Sequence, residues 1–123
     1  MVRTGLIKFS PNGIALSPPI TGFNGMGVDG IGWGTAVTLD KVWVSSFNGA
    51  IGVHDFQGRP IGKETDIPFA DKTGELMGIG VAANGDVWIA DGTKISYCIS
   101  PAVVCRTDAS CRSWGQITFR HRH

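Results

Sequence analysis

An internal repeat limits the fold of this sequence more than any other feature does. Residues 41–53 read KVWVSSFNGAIGV and residues 86–97 read DVWIADGTKISY, so each stretch has a charged residue, a Val-Trp pair, a polar turn and a second apolar stretch. Trp43 and Trp88 are 45 positions apart, and the other shared landmarks give a period of 44–45 residues. Repeats of this length are typical of β-propeller blades and of some helical arrays.

Strands explain this repeat better than helices do. A helical repeat needs apolar residues every third or fourth position over about ten residues, and no such window here is free of glycine or proline. Glycine is abundant, and Asn-Gly and Asp-Gly dipeptides, which favour tight hairpins, separate the apolar stretches. The sequence predicts strands at residues 34–38, 41–45, 51–55, 79–82, 86–90 and 94–98, with weaker fourth strands at 14–17 and 59–62.

The second strand of each repeat is apolar on both faces. Val42-Trp43-Val44 and Val87-Trp88-Ile89 lack the polar alternation of a sheet with one solvated face. Such strands are expected where neighbouring sheets cover both sides, so Trp43 and Trp88 are both predicted to be buried between sheets. The predicted fold is all-β, a partial β-propeller of about two four-stranded antiparallel blades.

The C-terminal part of the chain lacks the landmarks of the repeat. We assign residues 1–98 to the repeats and residues 99–123 to an irregular tail, which carries four Arg and one Asp. Terminal segments without packing partners are commonly disordered. The last four residues, Arg-His-Arg-His, could also contact an anionic surface or weakly bind a transition metal.

The three cysteines follow no familiar motif. Cys98, Cys105 and Cys111 have the spacing C-x6-C-x5-C, which differs from the C-x2-C pairs of common zinc and redox sites. An odd number leaves one thiol over if a disulfide forms. The sequence therefore predicts either three ordinary thiols or one surface disulfide beside one thiol.

The stretch LIKFSPNGIALSPPITGF, followed by a glycine-rich segment and the Gly-x-Ala-Val and Val-Trp-Val pieces, resembles the repeats of bacterial NHL-repeat proteins. Residues 5–98 carry the resemblance. Relatives of these proteins include virginiamycin B lyase and the gluconolactonase propellers. The resemblance implies a closed ring, which takes about four to eight blades, whereas this chain supplies about two. We expect either a fragment of a longer propeller or a ring completed by self-association, most simply a homotrimer.

The resemblance also implies two kinds of chemistry, and the sequence offers the residues for neither. The lyase relatives use His and Glu residues at one mouth of the ring, but His54 is the only histidine within the repeats. Its neighbour Asp55 would point to the opposite face of the strand. The gluconolactonase relatives hold a divalent cation with Glu, Asn and Asp, whereas acidic residues here are scattered singly in turns. We expect no catalytic residue, no metal and no cofactor.

A binding site is expected at one rim of the sheets. In an up-and-down blade, the connection between the second and third strands and the connection to the next blade emerge on the same side. Loops mounted on a rigid scaffold are where binding residues concentrate. The candidate ligand-binding residues on this rim are Asp29, Trp33, Asn48 and Asp91. The alternative is that these loops only join the blades.

The sequence thus predicts a non-enzymatic binding module of the NHL-repeat type, with a protein or a glycan as ligand. The alternative is a fragment or subunit of a propeller lyase or lactonase, whose catalytic residues lie on absent blades or on other subunits. Residues 1–105 carry seven basic and nine acidic residues, so nucleic acid is not an expected partner.

The sequence leaves the cellular location open. No apolar stretch reaches the length of a membrane helix, so a membrane is not an expected partner. The first residues do not read as a signal peptide. A fragment of an exported NHL-repeat protein would be expected in the cell envelope or outside the cell.

Overall fold

The structure, a computed structural model, describes residues 5–28, 32–70, 73–92, 95–100, 103–108 and 110–113. Within these residues every regular element is a β-strand except a short 3₁₀ helix at Glu64–Asp66. The strands form two antiparallel sheets, and neither sheet is closed. The prediction of an all-β fold is confirmed.

The first sheet is built from one repeat, and its strands follow the order β1-β2-β3. They are β1 (Gly32–Val37), β2 (Val42–Ser46) and β3 (Ile51–His54). The turn between β2 and β3 is tight because the Asn48 side chain accepts a hydrogen bond from the Ala50 N–H and Gly49 adopts a φ of 94°. In this register Trp43 lies opposite Ala36 on β1 and Val53 on β3.

The second sheet has five strands in sequence order. They are β4 (Leu76–Val81), β5 (Val87–Asp91), β6 (Ser96–Ile99), β7 (Val103–Arg106) and β8 (Cys111–Ser113). Its first three strands have the same register as the first sheet, since Trp88 lies opposite Gly80 and Cys98. Equivalent positions in the two sheets therefore differ by 44 or 45 in residue number.

The prediction of about two four-stranded blades is wrong, because in the described residues the two sheets have three and five strands. The fourth strand expected at residues 59–62 is reduced to one bridge between His54 and Pro60. Proline has no N–H to donate to a ladder, and Gly62, with a φ of 98°, turns the chain away directly afterwards. The other weak strand, expected at residues 14–17, is likewise a single bridge.

The prediction of an irregular tail after Cys98 is wrong for the residues that the structure describes there, because β7 and β8 add a hairpin to the second sheet. Val104 on this hairpin is fully buried, so it contributes to the core. Cys105 and Cys111 lie opposite each other and form a disulfide, which leaves Cys98 as a free thiol. Residues 114–123, with the Arg-His-Arg-His sequence, lie outside the described residues.

Residues 5–28, here named the N-terminal segment, cover part of the first sheet on the side away from the second sheet. Main-chain bridges fold this segment back on itself. It packs closely, since a Cβ added at Gly52 would lie 2.3 Å from Val28 Cγ1. Lys8 Nζ donates a hydrogen bond of 2.5 Å to the Phe56 carbonyl and ties the segment to the chain after β3. Met26 at the end of this segment joins the buried core.

The two sheets approach each other closely at a glycine and a serine. A Cβ at Gly34 would lie 2.7 Å from Ile79 Cγ2, so a larger residue would push the sheets apart. Ser45 is buried, and its Oγ donates a hydrogen bond of 2.6 Å to the Met77 carbonyl on the other sheet. The buried core around this contact consists of Met26, Trp43, Ile51, Val53, Ile67, Phe69, Leu76, Val87, Ile89, Tyr97, Ile99 and Val104.

The two repeated tryptophans have different surroundings. Trp43 is 2% exposed between the sheets, and its indole N–H donates to Thr38 Oγ1 at 3.0 Å. Trp88 is 45% exposed, because its neighbours Val87 and Ile89 point into the core and Trp88 points to the outer face of the second sheet. The prediction of two buried tryptophans is therefore right for Trp43 and wrong for Trp88.

We expect Trp43→Ala to destabilise the protein more than Trp88→Ala does. Removing the buried indole leaves a cavity and should lower the free energy of unfolding by about 3–5 kcal/mol. Removing the half-exposed ring of Trp88 should lower it by about 1 kcal/mol. Urea denaturation followed by circular dichroism measures both losses. Equal losses would contradict the different burial of the two side chains.

Gly34 and Gly78 occupy equivalent strand positions and provide a test of the sheet contact. Gly34→Ala should lower the free energy of unfolding by about 1–3 kcal/mol, because its new methyl group meets Ile79 and Ser45. Gly78→Ala is the control, since a Cβ there meets nothing within 4 Å, and its stability should stay within about 0.5 kcal/mol of the parent. Denaturation midpoints decide the matter, and a Gly34→Ala protein as stable as the control would refute close packing at this point.

Candidate binding groove

A groove runs between the N-terminal segment and the first sheet, and we name it the N-terminal groove. It consists of two adjoining cavities of about 380 Å³ and about 410 Å³, which share Leu6, Ile7 and Thr35 as lining residues. Ligand sites commonly have volumes of about 300–1,000 Å³. The first cavity is also lined by Lys8, Phe9, Phe23, Val37, Val42, Asp55, Phe56 and Gly58, and the second by Gly5, Val28, Gly32, Trp33 and Val44.

The walls of the first cavity are mainly apolar, whereas polar atoms form somewhat more than half of the surface of the second. Val42 and Val44 form the floor of the groove, because alternate residues of β2 point to opposite faces and Trp43 between them points into the core. Exposed apolar side chains stand at its edges, namely Ile7, Phe9, Val37 and Phe56. Adjoining exposed apolar side chains of this kind mark interaction surfaces. The arrangement therefore suits an apolar ligand.

Two charged residues line the first cavity, and both are engaged within the chain. Lys8 donates to the Phe56 carbonyl, and the Asp55 carboxylate accepts a hydrogen bond from Arg59 Nε at 2.9 Å. Burial acts to raise the pKa of Asp55, but hydrogen bonds from the main chain and side chain of Arg59 and from the Gln57 N–H outweigh it and lower that pKa. Asp55 is therefore an ionised turn residue, and apolar contact dominates what the first cavity offers a ligand.

Trp33 and Asn48, two residues predicted for the rim, are brought together by Phe47. The Trp33 ring stacks on the Phe47 ring, with 5.5 Å between the ring centroids. The exposed Asn48 side chain, next along the chain, donates a hydrogen bond of 3.4 Å to the Gly27 carbonyl. Because Trp33 also lines the second cavity, the predicted rim and the N-terminal groove meet at this residue.

Asp91, a third predicted site residue, is buried and lies away from the groove. Its Oδ2 accepts a hydrogen bond of 2.9 Å from the Gly74 N–H and one of 3.5 Å from the Tyr97 hydroxyl. Burial raises the pKa of Tyr97, and the Asp91 charge raises it further. The carboxylate thus holds the chain before β4 against the second sheet. Asp29, the fourth predicted site residue, lies outside the described residues.

His54 on β3 is fully buried, and in the described part of the chain neither ring nitrogen has a hydrogen-bond partner. Burial lowers the pKa of His54, and the nearby Asn24 main chain and Asp55 charge offset this only in part. The imidazole is therefore neutral near neutral pH. Its equivalent in the second sheet is the buried Ile99, so His54 stands at an apolar position of the repeat.

The free thiol lies on the outer face of the second sheet. Cys98 Sγ is 3.7 Å from Asp86 Oδ2. Burial raises the pKa of Cys98, and the Asp86 carboxylate adds to this, so the thiol stays protonated near neutral pH. Among the residues that the structure describes, no group of three or more His, Cys, Asp or Glu side chains could hold a metal ion.

The sequence analysis did not identify the N-terminal groove, although a signal for it was present. Gly13 and Gly58 are equivalent positions of the repeat, and with the same offset residues 6–9 are equivalent to the four residues of β3. In the first sheet β3 is paired with β2, which carries Trp43. In the described residues no strand pairs with the corresponding side of residues 6–9, and the groove lies there.

Comparison of the chain with protein-family models, with curated protein sequences and with solved structures finds no match. The resemblance to NHL-repeat proteins therefore stays a prediction, and function has to be argued from the site. None of the helical structure in the described ranges is long and apolar enough to cross a membrane.

The buried His54 should make stability depend on pH. Because burial lowers the pKa of His54 in the folded protein, the unfolded chain takes up a proton first, and the free energy of unfolding should fall as pH drops below about 6.5. His54→Ile, which copies the equivalent Ile99, should reduce this loss between about pH 5 and about pH 7. Asp55 acts at a lower pH and does not obscure the result. Urea denaturation across this range measures the effect, and identical pH profiles for parent and variant would contradict it.

Proposed function

We propose that this protein is a non-enzymatic binding module that holds an extended polypeptide segment in the N-terminal groove. The observation that carries the proposal is the groove itself, two adjoining cavities bordered by exposed apolar side chains. Proteins that act alone seldom leave such surface uncovered. A partner with apolar side chains would remove it from water, and that removal would drive binding.

The shape of the groove favours an extended ligand. Trp33, Thr35 and Val37 line it from one end to the other, and these are alternate residues of β1. Four residue steps along a strand cover about 13 Å, which is the length of a short strand of the ligand. Polypeptide is favoured over glycan because most of the lining is aliphatic or aromatic, while the polar Asn48 stands at the rim.

Propeller-type stacking of the two sheets is part of the proposal. The sheets face each other, and their first strands β1 and β4 meet at Gly34 and Ile79, as the inner strands of neighbouring blades would. This packing supports the proposal. A ring completed by self-association, most simply as a trimer, remains a prediction, and so does the lyase or lactonase alternative.

A pair of valine substitutions tests the groove. Val37→Asp places a charge in it, whereas Val81→Asp changes the equivalent residue of the second sheet, which does not line the groove. The two side chains are 59% and 41% exposed, so neither change should unfold the protein. The probe is a synthetic peptide of residues 34–46, GTAVTLDKVWVSS.

We expect the parent and the Val81→Asp protein to bind this peptide alike and Val37→Asp to weaken binding by about tenfold or more, since a buried unpaired charge opposes association. Isothermal titration calorimetry gives the dissociation constants. Circular dichroism confirms that both variants are folded. Equal binding by the two variants would exclude the groove as the binding site.

A further inference from the structure

We infer that the N-terminal groove accepts a β-hairpin of a partner protein, one strand of which pairs with residues 6–9 and places an aromatic residue, flanked by aliphatic residues, over Val42. Residues 6–9 are named the edge segment below. The inference rests on the proposed function and specifies its ligand. It follows from comparing the edge segment with β3, which occupies the equivalent position one repeat later.

The edge segment and β3 form the same main-chain contacts along one side, which in β3 is the side away from β2. Phe9 forms a bridge with Ala15, and the residues one repeat later, His54 and Pro60, form the same bridge. The Lys8 carbonyl accepts a hydrogen bond of 2.8 Å from the Leu16 N–H, and the equivalent Val53 carbonyl accepts one of 2.8 Å from the Ile61 N–H. The edge segment is therefore arranged as a copy of β3 and of the chain beside it.

The edge segment and β3 differ on the other side, which in β3 faces β2. In β3, Gly52 and His54 lie opposite Val44 and Val42 of β2, so their main-chain groups point towards that strand. The equivalent residues of the edge segment are Ile7 and Phe9. No hydrogen bond of the Ile7 or Phe9 main chain is found in the described part of the chain. A strand added here would pair with these groups, as in recognition by strand addition.

The packing between the two sheets shows which side chain such a strand would carry. Val42 and Val44 are the equivalents of Val87 and Ile89, and those two residues share a buried cluster with Trp43 of the preceding sheet. Val42 lines the first cavity of the groove instead, and Val44 is buried at the floor of the second. A large aromatic residue flanked by aliphatic residues is thus the occupant that the packing of this chain specifies.

A folded second copy of this chain does not present the strand that would pair with the edge segment. Both strands that carry a repeated tryptophan are already paired on two sides, β2 with β1 and β3, and β5 with β4 and β6. In a folded copy neither strand has a main-chain edge left for the edge segment. The partner must therefore present a hairpin whose aromatic strand has one free edge.

The test titrates three peptides into the full chain. The first is the peptide of residues 34–46, which has the sequence of β1 and β2 but no third strand. The second carries Trp43→Ala. The third carries N-methyl groups on the main-chain nitrogens of Val42 and Val44, which would otherwise pair with Phe9 and Ile7. We expect each alteration to weaken binding by about tenfold or more, because one removes the aromatic contact and the other the strand pairing.

The outcomes separate this inference from the proposed function. If all three peptides bind alike and Val37→Asp abolishes their binding, the groove is a binding site and the strand-pairing inference is wrong. If the unaltered peptide does not bind, the proposed function fails and the inference fails with it. Dimers of the chain, seen by light scattering, that dissociate when the peptide is added would identify a second copy as the occupant and overturn the choice of partner.

Discussion

The close contact of β1 with β4 at Gly34 determines how the rest of this protein is arranged. Since no side chain stands between the strands there, Ser45 can reach the Met77 carbonyl and the sheets can enclose Trp43. Alternation along β2 then sends Val42 and Val44 to the opposite face. The same packing that buries the core thus creates the floor of the N-terminal groove, and the structure of the groove cannot be separated from the stability of the sheet contact.

The two sheets have the same register, but different parts of their faces are buried. The face of the first sheet away from the core is covered over Gly52 by Val28, and Val44 on this face is buried, whereas Val42 is only partly covered. The outer face of the second sheet leaves Trp88 half-exposed. His54 shows the reverse case, a polar residue at a position that the repeat fills with Ile99 and that the N-terminal segment encloses. Equivalent positions therefore differ in burial because different parts of the chain cover them, and not because their backbone conformations differ.

The sequence was sufficient to predict the strand type and most strand positions, because β-branched residues and Asn-Gly turns act locally. It was not sufficient where contacts between residues distant in the sequence determine the burial of a side chain or the pairing of a strand. Trp88, like Trp43, lies between two aliphatic residues in the sequence, and only the presence of a packed sheet separates their environments. The hairpin of β7 and β8 depends on Val104 reaching the core and on Cys105 lying opposite Cys111. Of the predicted site residues, Trp33 and Asn48 lie near each other, whereas Asp91 is used inside the fold.

The disulfide between Cys105 and Cys111 also decides how the second sheet responds to mechanical load. It joins the two strands of the last hairpin at opposite positions, so a pull on the chain beyond Ser113 is transmitted through the sulfur atoms to β7 without passing around the turn. The pairs of Ser113 with Val103 and of Arg112 with Val104 lie between the loaded end and the disulfide, so they separate first, whereas the turn beyond the disulfide is shielded from the force. Under tension the last hairpin would therefore open only as far as its sulfur atoms, and from that point β7 itself would carry the load.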